Sequence, residues 1–284
     1  MADFLFCNTH MGIFEFIVRA SGAEFMVKLV HMKKFVNKKI FFMLLGTSLV
    51  SVACVFPYVL TIQGDIFKQI GQPIWLILLV QFIQSTILFS AVIFFGLIFT
   101  KRINFALPLL EAIAEKRNYA KVLKDIWEKS VIFGMLTAVS IYVLDMFFTM
   151  QGAVLSTHQT YAPIWQKLLA ATYGGTTEEI LMRLFLMSIF IWIGMKLSKR
   201  DHPTTIVIIV SIFLAAIIFG LGHLPLTASL TALTPLIVLR AVILNGIGGI
   251  VFGWLFWKKG LESAMIAHFT ADIFLLTLLP MMFQ

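Results

Sequence analysis

The chain has 284 residues, 60% of them hydrophobic and only 13% charged, with a mean hydropathy of +0.96. That composition lies far outside soluble globular domains and excludes a soluble enzyme as the main architecture. The net charge of +8 does not point to nucleic acid, because the basic residues sit in short clusters between apolar runs. This is how cytoplasmic loops meet anionic lipid, so the partner implied is the bilayer and no nucleic acid. Cys7 lies in the N-terminal stretch and Cys54 in an apolar run, which implies no disulfide framework.

Residues 1–38 lack the small-residue cleavage pattern of a secretory signal and read as an N-terminal extension or surface helix. From Met32 the run Met-Lys-Lys-Phe-Val-Asn-Lys-Lys followed by apolar residues looks like a natural membrane-protein start. A bilayer core needs roughly 20 apolar residues per helix. Seven segments meet this: 40–62, 74–100, 131–151, 166–196, 204–223, 234–257 and 261–283. Their connections are mostly short, without internal repeat or low-complexity linker, and the fold expected is an all-α polytopic transmembrane bundle. Residues 39–130 comprise two spans and a cytoplasmic segment, 101–130, whose mixed charges surround Leu109, Leu110, Ile113 and Leu123. That segment reads as an amphipathic helix or helix pair at the membrane surface. Residues 131–284 hold the remaining five spans.

Lysine and arginine counts test the segmentation. Six precede the first span, and successive connections carry one, seven, one, three, none and two, with none at the C-terminus. The alternation obeys the positive-inside rule and places the N-terminus in the cytoplasm and the C-terminus outside, in a multi-pass protein of the cell membrane.

Ionisable residues inside spans need a reason. The fourth span contains Gly174-Gly175-Thr176-Thr177-Glu178-Glu179 and Arg183. A central charge costs about 2.5–3.5 kcal/mol on the insertion scale, so three unpaired would cost roughly 8–10 kcal/mol. Glu179 and Arg183, four apart, share a helix face and can pair. Glu178 points about 100° away and is left without a cation of its own. A packing network is the bland reading of the three, and a carboxylate free to act as a general base is the functional one. His223 ends the fifth span, and His268 and Asp272 lie four apart on one face of the seventh, where the carboxylate can orient the imidazole. Either histidine alone would read as an interhelical hydrogen-bonding group; two with a doubled glutamate read as a site. Asp145 and Arg240 are expected to pair toward the outer ends of their spans. Gly246, Gly249 and Gly253 give the sixth span a small-residue face for close helix packing.

Taken together, Glu178-Glu179 with Arg183, Phe219 with His223, and His268 with Asp272 resemble the signature of the CPBP (CAAX prenyl protease and bacteriocin-processing, Abi) intramembrane peptidases. That signature is Glu-Glu-x-x-x-Arg, Phe-x-x-x-His and His-x-x-x-Asn or Asp on separate helices, and the similarity runs from about 131 to 283. The resemblance makes 131–284 a catalytic membrane core that hydrolyses a bond in a peptide or membrane-protein substrate. Carried over residue by residue, it makes Glu178 the base that activates water, assisted by His223. His268 and Asp272 stabilise the oxyanion or hold the water, and Glu179 and Arg183 brace the helix. Family members are often described as metallopeptidases, so Glu178, His223 and His268 offer ligands for Zn²⁺ with an open water position; water activation without metal is equally open. Many members carry Asn at the position of Asp272, and an ionised Asp cannot donate to an oxyanion.

Two rivals use the same residues. One is a non-catalytic scaffold or bacteriocin-immunity protein on this fold, which has no need for Glu178 beside a paired Glu179. The other is a transporter or proton relay, for which the chain lacks inverted repeats and interrupted helix pairs. Depth raises a further question. At 1.5 Å per residue Glu178 lies roughly 27 Å from Lys196 and His223 roughly 30 Å from Pro203, but His268 only about 13 Å from Lys259. Either the turn at Gly260 is sunk into the protein or the fifth span bends near Gly220 and Gly222.

Overall fold

The computed structural model describes residues 36–153 and 162–282. Expectations for residues 1–35 and Cys7 fall outside the described residues. In chain order the helices are α1 (Lys38–Ile62), α2 (Gly64–Ile70), α3 (Ile74–Arg102), α4 (Pro108–Ala114) and α5 (Tyr119–Met150). Next α6 (Ile164–Tyr173) runs through π-helical turns at Gly174–Glu178 and Ile180–Met187 into α7 (Ser188–Leu197). Then come α8 (Thr205–Gly222), α9 (Leu224–Leu230), α10 (Pro235–Lys259) and α11 (Leu261–Ile273), the last passing through a π-helical turn, Phe274–Leu278, into α12 (Leu279–Met282). Among the described residues seven helical spans are long and apolar enough to cross a membrane. The all-α polytopic bundle expected from hydropathy is the fold found.

Local chemistry sets several helix starts. Asn118 accepts a bond from the amide of Lys121 at the head of α5. Thr204 and Thr234 do the same for Val207 and Ile237 at the heads of α8 and α10, satisfying first-turn donors that have no partner within the helix. Pro235 follows Thr234 at the first helical position of α10, where its missing N–H is harmless.

The third span differs from expectation. α5 begins at Tyr119, so the second half of the charged segment continues the span instead of forming a separate surface helix. Its 32 residues extend roughly 48 Å, well beyond a 30 Å hydrocarbon core. Only α4 remains as a separate short helix from that segment.

α11 is the helix on which the others converge: it packs on α5, on α10 and on the first π-helical turn. Buried hydroxyl pairs link neighbours, Ser130 with Ser263 at 2.7 Å between α5 and α11, and Ser51 with Thr177 at 2.9 Å between α1 and the π-helical turn. Such pairs satisfy polar groups that lipid cannot. The glycine face of α10 packs as expected. A Cβ on Gly249 would come within 2.7 Å of Ala216 on α8, and one on Gly253 within 3.2 Å of Ile212. Arg240 bonds Asp145 through Nε at 2.6 Å, linking α10 to α5.

The depth question is answered mainly at Gly260. Its φ of 95° lies in the region that glycine alone enters freely, and a Cβ there would collide with Pro108 and stand 2.9 Å from the Ala106 carbonyl. The start of α11 is therefore sunk beneath the segment carrying α4, with Leu261, Glu262 and Ser263 buried. Glu262, which the hydropathy pattern hides at a span boundary, accepts a bond from the Leu110 amide at 2.8 Å. A carboxylate at the first turn of α4 stabilises that helix end and locks it to α11. α8 also stops at Gly222, and His223 stands at the junction with α9.

This arrangement and the charge alternation generate one topological expectation. Reporter domains fused after Arg117, between α4 and α5, and at Gln284 should report opposite sides of the membrane. Finding both on one side would remove a span from the scheme.

Candidate active site

The four charged residues of the central cluster are held by three successive constraints. The first is the buried pair of Glu179 and Arg183, with Arg183 Nη1 3.1 Å from Glu179 Oε1 and both side chains almost fully buried. Arg183 Nη2 adds bonds to the carbonyls of Gly248 and Gly249 on α10, at 3.4 and 3.3 Å. Its guanidinium also lies over the rings of Phe219 and Phe252, 5.2 and 5.6 Å from the centroids, a favourable cation–π geometry. One arginine thus ties the fourth span to α8 and α10.

The second constraint is His268. Its Nδ1 faces the same Glu179 Oε1 at 2.7 Å, so Nδ1 carries the proton and donates to the carboxylate. Its ring stacks on Phe252 at 4.6 Å and 23° and meets Phe219 edge-on at 5.8 Å. This corrects the role read for Asp272. The carboxylate that orients His268 is Glu179, whereas Asp272 lies at the other ring edge, with Oδ1 3.6 Å from Nε2.

The third constraint is Glu178. Its Oε2 stands 3.8 Å from His268 Nε2. Adjacent glutamates on a regular α-helix diverge by about 100°, but here they reach opposite nitrogens of one imidazole. The wide i→i+5 turns of the π-helical stretch bring this about, a distortion common at functional sites. Glu178 makes no hydrogen bond among the described residues and keeps 24% of its side chain accessible. Gly174 lets Asp272 and His268 approach the fourth span closely. A Cβ there would overlap the Asp272 carboxylate and lie 3.2 Å from His268 Nε2.

His223 is the expected member that stands apart. Its Nδ1 faces the Phe219 carbonyl at 2.8 Å, and its ring meets Phe219 edge-on at 4.7 Å. Phe219 touches both imidazoles, and His223 makes no direct bond to Glu178, His268 or Asp272. With Nδ1 donating to a carbonyl, Nε2 is left as an acceptor in the neutral ring. Among the described residues no group of three or more His, Cys, Asp or Glu is placed to hold a metal ion.

Fold and site together define a multi-pass membrane protein with an acid–base cluster buried among its helices. Residues 160–274 match the family model described as type II CAAX prenyl endopeptidase Rce1-like, and the matched stretch contains every residue of the cluster. The match agrees with the resemblance to the CPBP intramembrane peptidases carried by the three motif blocks. No curated protein and no solved structure matches the chain.

The double duty of Glu179 separates stability from orientation. Glu179→Gln leaves Arg183 buried without its counter-charge and should cost on the order of 3–5 kcal/mol, read as a lower melting temperature in detergent. Adding Arg183→Met removes both charges and should restore most of that loss. The double variant should still turn over about 100-fold or more slowly, because His268 has lost the anionic partner that fixes its tautomer. Normal turnover in a well-folded double variant would reduce Glu179 to a brace.

Proposed function

We propose that the chain is an intramembrane endopeptidase in which Glu178 is the general base. The observation that carries this is the contrast between neighbours. Glu179 is held through Oε1 by the Arg183 ion pair and the His268 hydrogen bond, whereas Glu178 has no hydrogen bond among the described residues, is partly accessible, and faces Nε2 of an imidazole already fixed from its other side. The 3.8 Å between Glu178 Oε2 and His268 Nε2 is too long for a direct bond and suits a bridging water.

The reaction follows from these positions. Glu178 takes a proton as the water oxygen attacks the scissile carbonyl carbon, and the carbonyl π pair moves onto oxygen. Collapse re-forms the C=O, breaks the C–N bond, and passes the proton from Glu178 to the departing amine. His223 lies across Phe219 and assists proton transfer once substrate is bound. Asp272 helps hold the water, and His268 meets the developing charge in a site walled by Phe219 and Phe252.

The substrate class to test first is the one the family model names, a prenylated CAAX peptide, presented from the bilayer as a lipid chain with an extended peptide tail. The charge alternation puts the N-terminus in the cytoplasm and the C-terminus outside. Assistance by Zn²⁺, which Glu178, His223 and His268 would hold, is a separate proposal. Loss of activity with 1,10-phenanthroline and its return with Zn²⁺ would establish it.

Glu178→Gln tests the core of the reading. Glutamine keeps shape and polarity but takes no proton from water, so cleavage of a membrane-presented peptide should fall by at least about 100-fold. The melting temperature should stay close to that of the wild type, because Glu178 has no partner to lose. Normal cleavage by this variant would assign the base elsewhere.

A further inference from the structure

Among the described residues Asn245 is the one amide side chain lining the cavity that His268 and Asp272 share, and neither the motif blocks nor the mechanism above uses it. It lies near the middle of α10, where an uncompensated polar side chain is disfavoured. A cavity of about 80 Å³ is lined by Asn245 together with His268, Asp272, Phe219, Gly248 and Phe252. That volume has room for more than one water-sized group. On α10, Asn245, Gly248 and Phe252 share a face at three- and four-residue spacing. The same face gives Arg183 its Gly248 carbonyl and His268 its stacking ring, so Asn245 is carried on a surface already fixed against the site.

Its own hydrogen bonding points the same way. Nδ2 donates to the Ala241 carbonyl one turn back at 2.8 Å, which fixes the amide orientation and occupies one of its two N–H protons. Asn245 makes no bond to another helix, so its polarity does nothing for packing between spans. The other N–H has no partner among the described residues, and the cavity that Asn245 lines is shared with Asp272, which in its ionised form has no proton to donate.

We propose that Asn245 is a catalytic residue of this site: its free amide N–H donates to the carbonyl oxygen of the scissile peptide as that oxygen becomes an oxyanion. The inference rests on the endopeptidase reading above. The amide supplies from α10 the neutral donor that Asp272 cannot supply from α11. No proton changes hands at Asn245; the N–H shortens its contact as charge moves onto the oxygen and lengthens it as the C–N bond breaks.

Asn245→Ala and the similarly sized Asn245→Leu test this in the full-length protein, with Glu178→Gln as the control and melting temperature measured for each. Removing one oxyanion donor typically lowers kcat by about 10²–10³-fold. Both Asn245 variants should fall in that range with KM within about threefold of wild type, and affinity for a peptide aldehyde that hydrates to a tetrahedral diol should drop in parallel. If one variant melts early, the other decides. A folded variant with kcat within about threefold of wild type, or with its whole effect in KM, overturns the assignment. Wild-type protein that cleaves no membrane-presented peptide overturns the endopeptidase reading and this inference together. A dead Glu178→Gln beside active Asn245 variants overturns the inference alone.

Discussion

Glu179 Oε1 forms an ion pair with Arg183 at 3.1 Å and accepts a hydrogen bond from His268 at 2.7 Å, and most of the central architecture follows from this one shared oxygen. A carboxylate fully removed from water is tolerable only when cationic or hydrogen-bonding partners surround it. Here each partner belongs to a different contact. Arg183 reaches the carbonyls of α10 and the faces of Phe219 and Phe252, and His268 is the centre of α11. Three spans are thereby positioned by one anion. The aromatic rings add shape: Phe252 lies under both His268 and Arg183, while Phe219 separates His268 from His223.

Backbone shape makes that convergence possible. The fourth span approaches α11 through Gly174 and Gly175, where added methyl groups would strike Asp272 and Phe269. The π-helical turns flanking Glu179 rotate its neighbour toward the same imidazole. A regular helix with larger residues would keep the Glu179–Arg183 pair and lose access to His268 for one or both glutamates. The sunken Gly260 turn performs the matching task on α11, drawing His268 to the depth of the fourth-span glutamates.

Hydropathy and lysine–arginine alternation made the seven spans legible, because a bilayer imposes a length and a sign on every segment. The Glu179–Arg183 pair was legible because it is local, four residues apart on one helix. The partner of His268 was not. Asp272, at the same local spacing, looked the natural orienting group, and only tertiary packing gave Nδ1 to Glu179 and left Asp272 at the other edge. The start of α5 was misplaced for a related reason: charged residues mark where a helix leaves lipid, not where it ends. Glu262 escaped notice because a single acid at a span boundary reads as interfacial, and its burial depends on α4 folding over it. Asn245, Gly248 and Phe252 carry no signal beyond helical spacing, and their role emerges only once Arg183 and His268 are seen against α10.

The balance of charge separates a hydrolytic site from a structural one. A network built only to fix helices would match each acid to a base, since any surplus buried charge opposes folding in lipid. The cluster instead places Glu178, Glu179 and Asp272 around Arg183 and one imidazole, with Glu179 paired to Arg183 and bonded by His268. Glu178 and Asp272 sit at 3.8 and 3.6 Å from the same Nε2, close enough to share a water and too far to satisfy each other. Asp272 reaches this position because Gly174 has no side chain to keep its carboxylate away. A proton relay would need the same carboxylates joined in a continuous file across the bilayer. Among the described residues the two histidines meet through the ring of Phe219 and share no hydrogen bond.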